Sequence, residues 1–273
     1  MIRINMQVEL TNYCNLQCEE CPHRIMERDL KHMDEATFSK VLDYVTELNP
    51  QTIILHKDGE PLLHPHFGDY FARIAERSSA KIDLYTNATM LTPDLVKYMA
   101  MVARKNKIWI LVTFHRYKYD GTPYDISKIE DNLLQCIQLH ERNVEFVITT
   151  HHTDHTDKEK DKQWYVKWTN VRVEHKNIYN IHMNTLINPW GGRIHQQEGM
   201  AHFYTCPYRD SLHFFVGVTG NVLPCCIDLE EEIVFGNIMT DDIGEIFERR
   251  RAFYQKMYDG EEPEYPLCQV CLE

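Results

Sequence analysis

The sequence lacks any apolar run long enough to cross a membrane, and its first residues read as a strand rather than as a secretory signal. Basic residues are also scarce: 29 Lys and Arg stand against 41 Asp and Glu, giving a net charge of −12. Because a nucleic-acid backbone requires a basic surface, this balance argues against nucleic acid as a partner. We therefore expect a cytoplasmic protein that engages neither a membrane nor nucleic acid.

The sequence is rich in cysteine instead, with nine in 273 residues. Without a secretory signal, so many cysteines favour metal ligation over disulfides. The remaining composition, 43% hydrophobic and 26% charged, is that of an ordinary globular protein. A chain of this length can bury one substantial core and carry a small additional module.

Three of the cysteines follow the first strand-like run with the spacing C-x3-C-x2-C, at Cys14, Cys18 and Cys21. Three thiolates can hold three corners of a cubane iron–sulfur cluster and leave the fourth iron open to a substrate or cofactor. The polar residues of this stretch and the proline that ends it argue against a buried helical stripe. A zinc knuckle with His23 as fourth ligand is the alternative.

This motif resembles that of the radical S-adenosylmethionine (radical SAM) superfamily. The segment HKDGEP, at 56–61, is similar to the family's glycine–glutamate motif, and LYTN, at 84–87, to its strand ending in Thr-Asn. One departure is Glu20, which precedes the third cysteine where the family usually has an aromatic ring that packs against adenine.

The resemblance implies that the open iron binds SAM and that an electron from the cluster cleaves SAM to a 5′-deoxyadenosyl radical. Glu60 would meet the SAM amino group, and Asn87, Thr113 and His115 would line the same pocket. A flavodoxin- or ferredoxin-type protein would supply the electron.

Six β-runs alternate with helical patterns, which predicts parallel strands with right-handed crossovers, hence an α/β barrel or open sheet. The resemblance implies a partial (βα)6 barrel over residues 1–176. The predicted strands are Ile4–Thr11, Thr52–His56, Lys81–Thr86, Lys107–Phe114, Val144–Thr150 and Val171–His175. The predicted helices are Asp34–Leu48, Phe67–Arg77, Thr92–Ala103, Asp125–Arg142 and Lys158–Trp168.

Barrel enzymes place their chemistry at the C-terminal ends of the strands, and titratable residues gather at the predicted ends here. His115 follows the fourth strand, a cluster from His151 to His155 follows the fifth, and His175 follows the sixth. We interpret the cluster as a polar loop lining a substrate cavity rather than as a metal site. A turn-rich segment, 177–205, then connects to the C-terminal part over the barrel mouth, with Trp190 as a hydrophobic plug or a substrate contact.

Four more cysteines lie in the C-terminal part, at Cys206, Cys225, Cys268 and Cys271. A β-hairpin turning at Thr219-Gly220-Asn221 separates the first two, and a helix opening at Asp241-Asp242 leads to the final pair. Spacing alone fits a structural zinc site as well as a cluster.

The pattern C-x13-G-x4-C with a distant cysteine pair resembles the shortened SPASM extension called twitch. It implies a domain at 206–273 with an auxiliary 4Fe–4S cluster, the second in the protein. Four cysteines would leave that cluster no open iron, which suits electron transfer. Of the two remaining cysteines, Cys136 reads as a core residue. Cys226 is a possible ligand, packing residue or active-site thiol, and the family spacing selects Cys225 as the ligand.

The resemblance extends to aminocyclitol dehydrogenases of antibiotic pathways. It implies an oxidoreductase in which the deoxyadenosyl radical abstracts hydrogen from a carbinol carbon of a small polar substrate. A base removes the hydroxyl proton, and the auxiliary cluster accepts the electron. The catalytic candidates are His115, His151, Trp190 and Cys226. The alternatives are an epimerase with a cysteine hydrogen donor, a peptide-modifying natural-product maturase, and a zinc-stabilised binding protein.

Overall fold

A computed structural model describes residues 4–151, 155, 157–184 and 205–272. Its strands are β1 (Ile4–Val8), β2 (Thr52–Leu55), β3 (Lys81–Thr86), β4 (Ile108–Phe114), β5 (Val144–His151), β6 (Ile178–Asn184), β7 (Leu212–Val216), β8 (Asn221–Leu223) and β9 (Gly236–Asn237). Its helices are α1 (Glu35–Leu48), α2 (Phe67–Arg77), α3 (Pro93–Val102), α4 (Ser127–Ile137), α5 (Lys158–Glu174), α6 (Ile243–Tyr258) and α7 (Pro266–Leu272).

The nine strands form one sheet in the order β6-β5-β4-β3-β2-β1-β7-β8-β9. Strands β1 to β6 pair in sequence and in parallel, as the alternating pattern predicts. Strand β7 pairs in parallel with the other edge of β1, and β8 and β9 add antiparallel strands beyond it. The C-terminal part therefore extends the same sheet beyond β1.

Local signals account for most of the helices. Thr92 accepts a hydrogen bond from the backbone N–H of Leu95, and Pro93 occupies the first helical position. Helix α1 begins in the same way, with the Asp34 carboxylate accepting from the N–H of Thr37. The apolar stripe of α1 is buried and contributes about 1.5–3 kcal/mol for each large side chain; it comprises Phe38, Val41, Leu42 and Val45.

Strand β4 shows how the sheet divides core from cavity. Its burial alternates residue by residue, with Ile110, Val112 and Phe114 fully buried. The intervening side chains, among them Leu111 and Thr113, face the opposite side of the sheet. This period of two decides which residues of each strand reach the functional site.

The prediction for the sixth strand is wrong. Residues 171–174 continue α5, because Trp164, Trp168 and Val171 fall at the i, i+4 and i+7 positions of one buried helical face. The strand follows at Ile178–Asn184, inside the segment expected to be a connector. His175 ends α5 and contacts His140, so it does not lie at the C-terminal end of a strand. No helix in the described residues is long and apolar enough to span a membrane.

Candidate active site

The C-terminal ends of β2 to β5 and the loop after β1 enclose a cavity of about 340 Å³. Each strand contributes the side chains that point away from the helices, as the strand period requires. The lining residues are Cys14, Leu16, Cys18, Glu20, Cys21, His56, Lys57, Asp58, Gly59, Glu60, Tyr85, Thr86, Asn87, Leu111, Thr113, His115, Thr149 and His151.

The loop after β1 presents all three thiols of the C-x3-C-x2-C motif to this cavity. Burial raises the pKa of each thiol, that of Cys21 to about 12, and the neighbouring Cys14 adds to this shift. Burial disfavours the thiolate form of a cysteine, whereas coordination to a metal ion deprotonates the thiol. In the described part of the chain, no three His, Cys, Asp or Glu side chains are arranged around a single metal ion. The three thiols instead share one cavity wall, and this donor set fits a cluster.

Gly59 holds this loop against the end of β2. A Cβ atom at Gly59 would overlap the backbone oxygens of Thr11 and Tyr13, so only glycine permits the approach. The next residue continues the contact, because the N–H of Glu60 donates to the oxygen of Tyr13 at 2.8 Å. The glycine–glutamate segment thus positions the cysteine loop as well as its own carboxylate.

We therefore expect Gly59→Ala to displace the cysteine loop and to lower stability by about 1–3 kcal/mol through overpacking. Iron and sulfide at the first cluster should fall, as measured after anaerobic reconstitution. Gly68→Ala in α2 is the matched control, since a Cβ there meets Tyr98 at an ordinary 3.5 Å. Equal iron content in the two variants would contradict this account of Gly59.

Glu60 is fixed by three donors from the neighbouring strand ends. Its Oε1 accepts from the N–H of Leu62 at 3.0 Å and the hydroxyl of Thr86 at 2.8 Å, and its Oε2 accepts from the N–H of Asn87 at 2.7 Å. Burial nevertheless raises the pKa of Glu60. A buried carboxylate with a raised pKa is suited to a cationic ligand, because a nearby positive charge lowers the pKa and keeps the carboxylate ionised.

Glu20 and His115 form a second polar group on the cavity wall. Nδ1 of His115 lies 2.6 Å from Oε1 of Glu20, and the His151 ring is parallel to that of His115 at a centroid distance of 6.3 Å. Burial opposes ionisation of Glu20, but His115 outweighs it and lowers the Glu20 pKa. The sequence analysis singled out Glu20 as a departure from the family motif and His115 as a residue at a strand end. Nothing in the sequence indicated that the two side chains are in contact.

Behind the cavity, a buried ionic network joins the barrel to the C-terminal part. The Arg28 guanidinium donates to Glu9 at 3.1 Å, Glu231 at 2.6 Å and Asp58 at 2.7 Å. Lys57 bonds to Asp58 and, at 2.9 Å, to the backbone oxygen of Asp228. Burial alone would raise the pKa of Glu9, but Lys57 and Arg28 lower it to about 2. Sequence reasoning did not identify Arg28, because its three carboxylates come from distant segments.

The four C-terminal cysteines lie together on a second, apolar cavity of about 30 Å³. Helix α7 presents Cys268 and Cys271 one turn apart, and Cys206 and Cys225 lie opposite. Burial raises the pKa of Cys268 to about 12 and that of Cys271 to about 11, and each of these shifts is increased by Cys206. These four clustered, buried thiols therefore fit an iron–sulfur cluster, for the same reason as the three thiols of the first cavity. Helix α7 was not predicted, although Pro266 at its start is a recognised signal.

Cys226 does not line the second cavity; its Sγ lies 3.2 Å from the Tyr208 hydroxyl. Cys136 is buried in α4, as predicted. Of the histidine cluster, His151 lines the first cavity and His155 pairs with Glu19 at 2.9 Å. Residues 152–154 and Trp190 lie outside the described residues.

Comparison with known families decides the identity. Residues 8–159 match the model of the Radical SAM superfamily. The chain belongs to this superfamily. Residues 206–272 match SPASM, an iron–sulfur cluster-binding domain. This radical SAM enzyme has SAM and 4Fe–4S clusters as cofactors, and its parallel sheet is the expected partial radical SAM barrel with a C-terminal extension.

Similar proteins support the same fold over the whole chain. An S-adenosyl-L-methionine-dependent 2-deoxy-scyllo-inosamine dehydrogenase of Niallia circulans is 23% identical over 97% of this chain and 91% of its own. The crystal structure of BtrN in complex with AdoMet and 2-DOIA has a TM-score of 0.68 and 20% identity, covering 98% of this chain and 92% of its own. Native anSMEcpe with bound AdoMet has a TM-score of 0.59 and 14% identity, covering 97% and 88%.

Proposed function

We propose that this radical SAM enzyme is an oxidoreductase that dehydrogenates a small polar alcohol of the sugar or aminocyclitol type. The observation that carries the proposal is the pairing of two cysteine sets on one sheet. Three cysteines share a cavity with a buried carboxylate, and four cysteines line a second cavity in the C-terminal part, whose strand β7 pairs with β1. The similarity to an aminocyclitol dehydrogenase along nearly the whole chain supports the same reaction class.

In this proposal Cys14, Cys18 and Cys21 hold the first cluster and leave one iron open. When bound there, SAM supplies the 5′-deoxyadenosyl radical that abstracts hydrogen from the substrate. Glu60 receives the SAM amino group, because its fixed, buried carboxylate lies on the same cavity as the thiols. Asn87, Thr113 and His115 line the remainder of that pocket.

The rest of the cavity wall suits a polyhydroxylated substrate. It offers hydrogen-bonding side chains from three strand ends, those of Tyr85, Thr113 and His151, whereas Lys57 and Asp58 at the end of β2 already pair with each other. Burial lowers the pKa of the neighbouring His56 to about 4, so this ring is a neutral hydrogen-bonding group. A small substrate with several hydroxyl or amino groups would satisfy these groups, which a hydrocarbon would leave unpaired.

The C-terminal cysteines would hold the auxiliary 4Fe–4S cluster in a domain at 206–273. Because β6 (Ile178–Asn184) completes the parallel sheet, the barrel extends beyond the expected boundary at 176 into the expected connector at 177–205. Four protein ligands leave no iron open, so the cluster would accept the electron that remains after hydrogen and proton are removed. A flavodoxin- or ferredoxin-type protein would reduce the first cluster from solution.

The proposal is tested by anaerobic turnover with SAM, a reductant and a panel of polyols and aminocyclitols that includes 2-deoxy-scyllo-inosamine. A ketone two mass units below the alcohol, formed together with 5′-deoxyadenosine, is the expected result. Formation of 5′-deoxyadenosine with every alcohol recovered unoxidised would contradict it.

Glu60→Gln should weaken SAM binding by about 10–100-fold, because it removes the charged partner of the SAM amino group from a site that excludes water. Equilibrium dialysis with reconstituted protein measures the affinity. Iron and sulfide content should match that of the wild type, since Glu60 is not a thiol ligand. Unchanged SAM affinity would show that the amino group binds elsewhere.

Cys226→Ala should retain both clusters and still form product, whereas Cys225→Ala should lose the auxiliary cluster. The reason is that Cys225 lines the second cavity and Cys226 lies outside its lining. Iron analysis and product assay measure the two effects. An epimerase with Cys226 as hydrogen donor would behave differently: Cys226→Ala would cleave SAM without product, and wild-type product would contain solvent deuterium.

A further inference from the structure

The proposed oxidation requires a group that accepts the hydroxyl proton, and the cavity wall contains one of the catalytic candidates, His115, together with a partner that the sequence did not indicate. The Glu20–His115 pair lies on this wall, with Glu20 on the cysteine loop and His115 directly after β4. The 2.6 Å separation of Oε1 and Nδ1 is that of a strong, charge-assisted hydrogen bond.

This hydrogen bond determines the state of the imidazole. An ionised carboxylate only accepts hydrogen bonds, so Nδ1 of His115 must carry the proton and Nε2 must carry the lone pair. Nε2 makes no hydrogen bond to any described residue. Its ring faces the cavity, so this lone pair is available to a substrate hydroxyl.

The position of His115 suits a group that acts between SAM and substrate. His115 lines the same cavity as Glu60, on the SAM side, and His56. His151 packs parallel to it from β5, and burial lowers the His151 pKa. The Glu20 carboxylate favours the imidazolium that would form at His115, and a neutral His151 adds no opposing charge.

Resting on the dehydrogenase function proposed above, we propose that Nε2 of His115 accepts the hydroxyl proton of the substrate, with Glu20 as the positioning residue. The carbinol carbon loses a hydrogen atom to the 5′-deoxyadenosyl radical. The hydroxyl loses its proton to His115, the remaining electron passes to the auxiliary 4Fe–4S cluster, and the carbon–oxygen bond becomes a carbonyl. Glu20 keeps its negative charge throughout and pairs with the imidazolium, as in other carboxylate–histidine pairs.

His115→Gln keeps a hydrogen-bonding side chain but has no basic nitrogen. Ketone formation should slow by about 100-fold or more, the usual contribution of a general base. The rate is measured at saturating SAM, so that a change in SAM affinity at this pocket residue does not enter the comparison. Glu20→Gln should slow ketone formation less, because the imidazole remains but its tautomer is no longer imposed.

His155→Gln is the matched control, because His155 forms a similar pair with Glu19 at 2.9 Å but does not line the cavity. It should oxidise the substrate at the wild-type rate.

Nitrogen NMR of ¹⁵N-histidine-labelled enzyme with oxidised clusters tests the tautomer without turnover. An Nδ1–H signal that is absent from His115→Gln and shifted in Glu20→Gln supports the proposal; its absence from the wild type overturns it. Ketone formation in His115→Gln equal to that in His155→Gln, or a rate that excess SAM restores, would also overturn it. If the wild type oxidises no alcohol, the proposed function fails, and the NMR result still decides the tautomer.

Discussion

Replacing Cys14, Cys18 and Cys21 together by alanine should abolish SAM cleavage and leave one iron–sulfur cluster in place. The three thiols share the cavity of Glu60, whereas the other four line a separate cavity that the substitutions do not touch. Iron and sulfide analysis should therefore fall from about eight to about four atoms of each per chain. No 5′-deoxyadenosine should form, since no iron remains to bind SAM.

Cys136→Ala is the control for loss of a thiol as such. Cys136 is buried in α4, and neither cavity includes it. This variant should retain both clusters and full SAM cleavage. Zinc in place of the remaining cluster in the triple variant would refute the auxiliary cluster, and residual SAM cleavage would refute the assignment of the first three cysteines.

Arg28→Met should strongly destabilise the protein. It leaves Glu9, Asp58 and Glu231 in the buried network with Lys57 as the remaining cation. Removing one partner of a buried ion pair typically costs about 3–5 kcal/mol, because the remaining charges stay buried without compensation. The midpoint of anaerobic thermal unfolding should fall by about 6–20 °C.

Arg251→Met provides the comparison, because Arg251 is 73% exposed and pairs with the exposed Glu248. An exposed pair is worth about 0–1 kcal/mol, so this variant should unfold near the wild-type temperature. Similar midpoints for the two variants would show that the network does not join the barrel to the C-terminal part as described.

Much of the fold could be predicted because its signals are local. Capping at Thr92 and Pro93 and the apolar stripe of α1 depend on residues a few positions apart. The sixth strand was misplaced because alternating Val171 and Val173 look like a strand, and only packing of Trp164 and Trp168 shows that the helix continues. The pairing of β7 with β1 could not be predicted from the sequence either, since it joins segments about 200 residues apart.

The candidate site could likewise be predicted only where its signals are local in the sequence. Motif spacing indicated the seven candidate cluster cysteines, the family resemblance indicated Glu60, and the strand-end rule indicated His115. The contacts of Glu20 with His115 and of Arg28 with three carboxylates are tertiary and leave no periodic trace. Tyr85 and Thr149 were missed although the strand period directs both into the cavity together with Leu111 and Thr113.

Deuterium tracing tests the central claim, oxidation of an alcohol by a SAM-derived radical, most directly. The enzyme is given SAM, a reductant and an aminocyclitol with deuterium on the carbinol carbon, and both products are analysed by mass spectrometry. We predict one deuterium in 5′-deoxyadenosine and an equimolar ketone. Unlabelled 5′-deoxyadenosine, or an alcohol whose carbinol deuterium has been replaced by hydrogen from solvent, would contradict it.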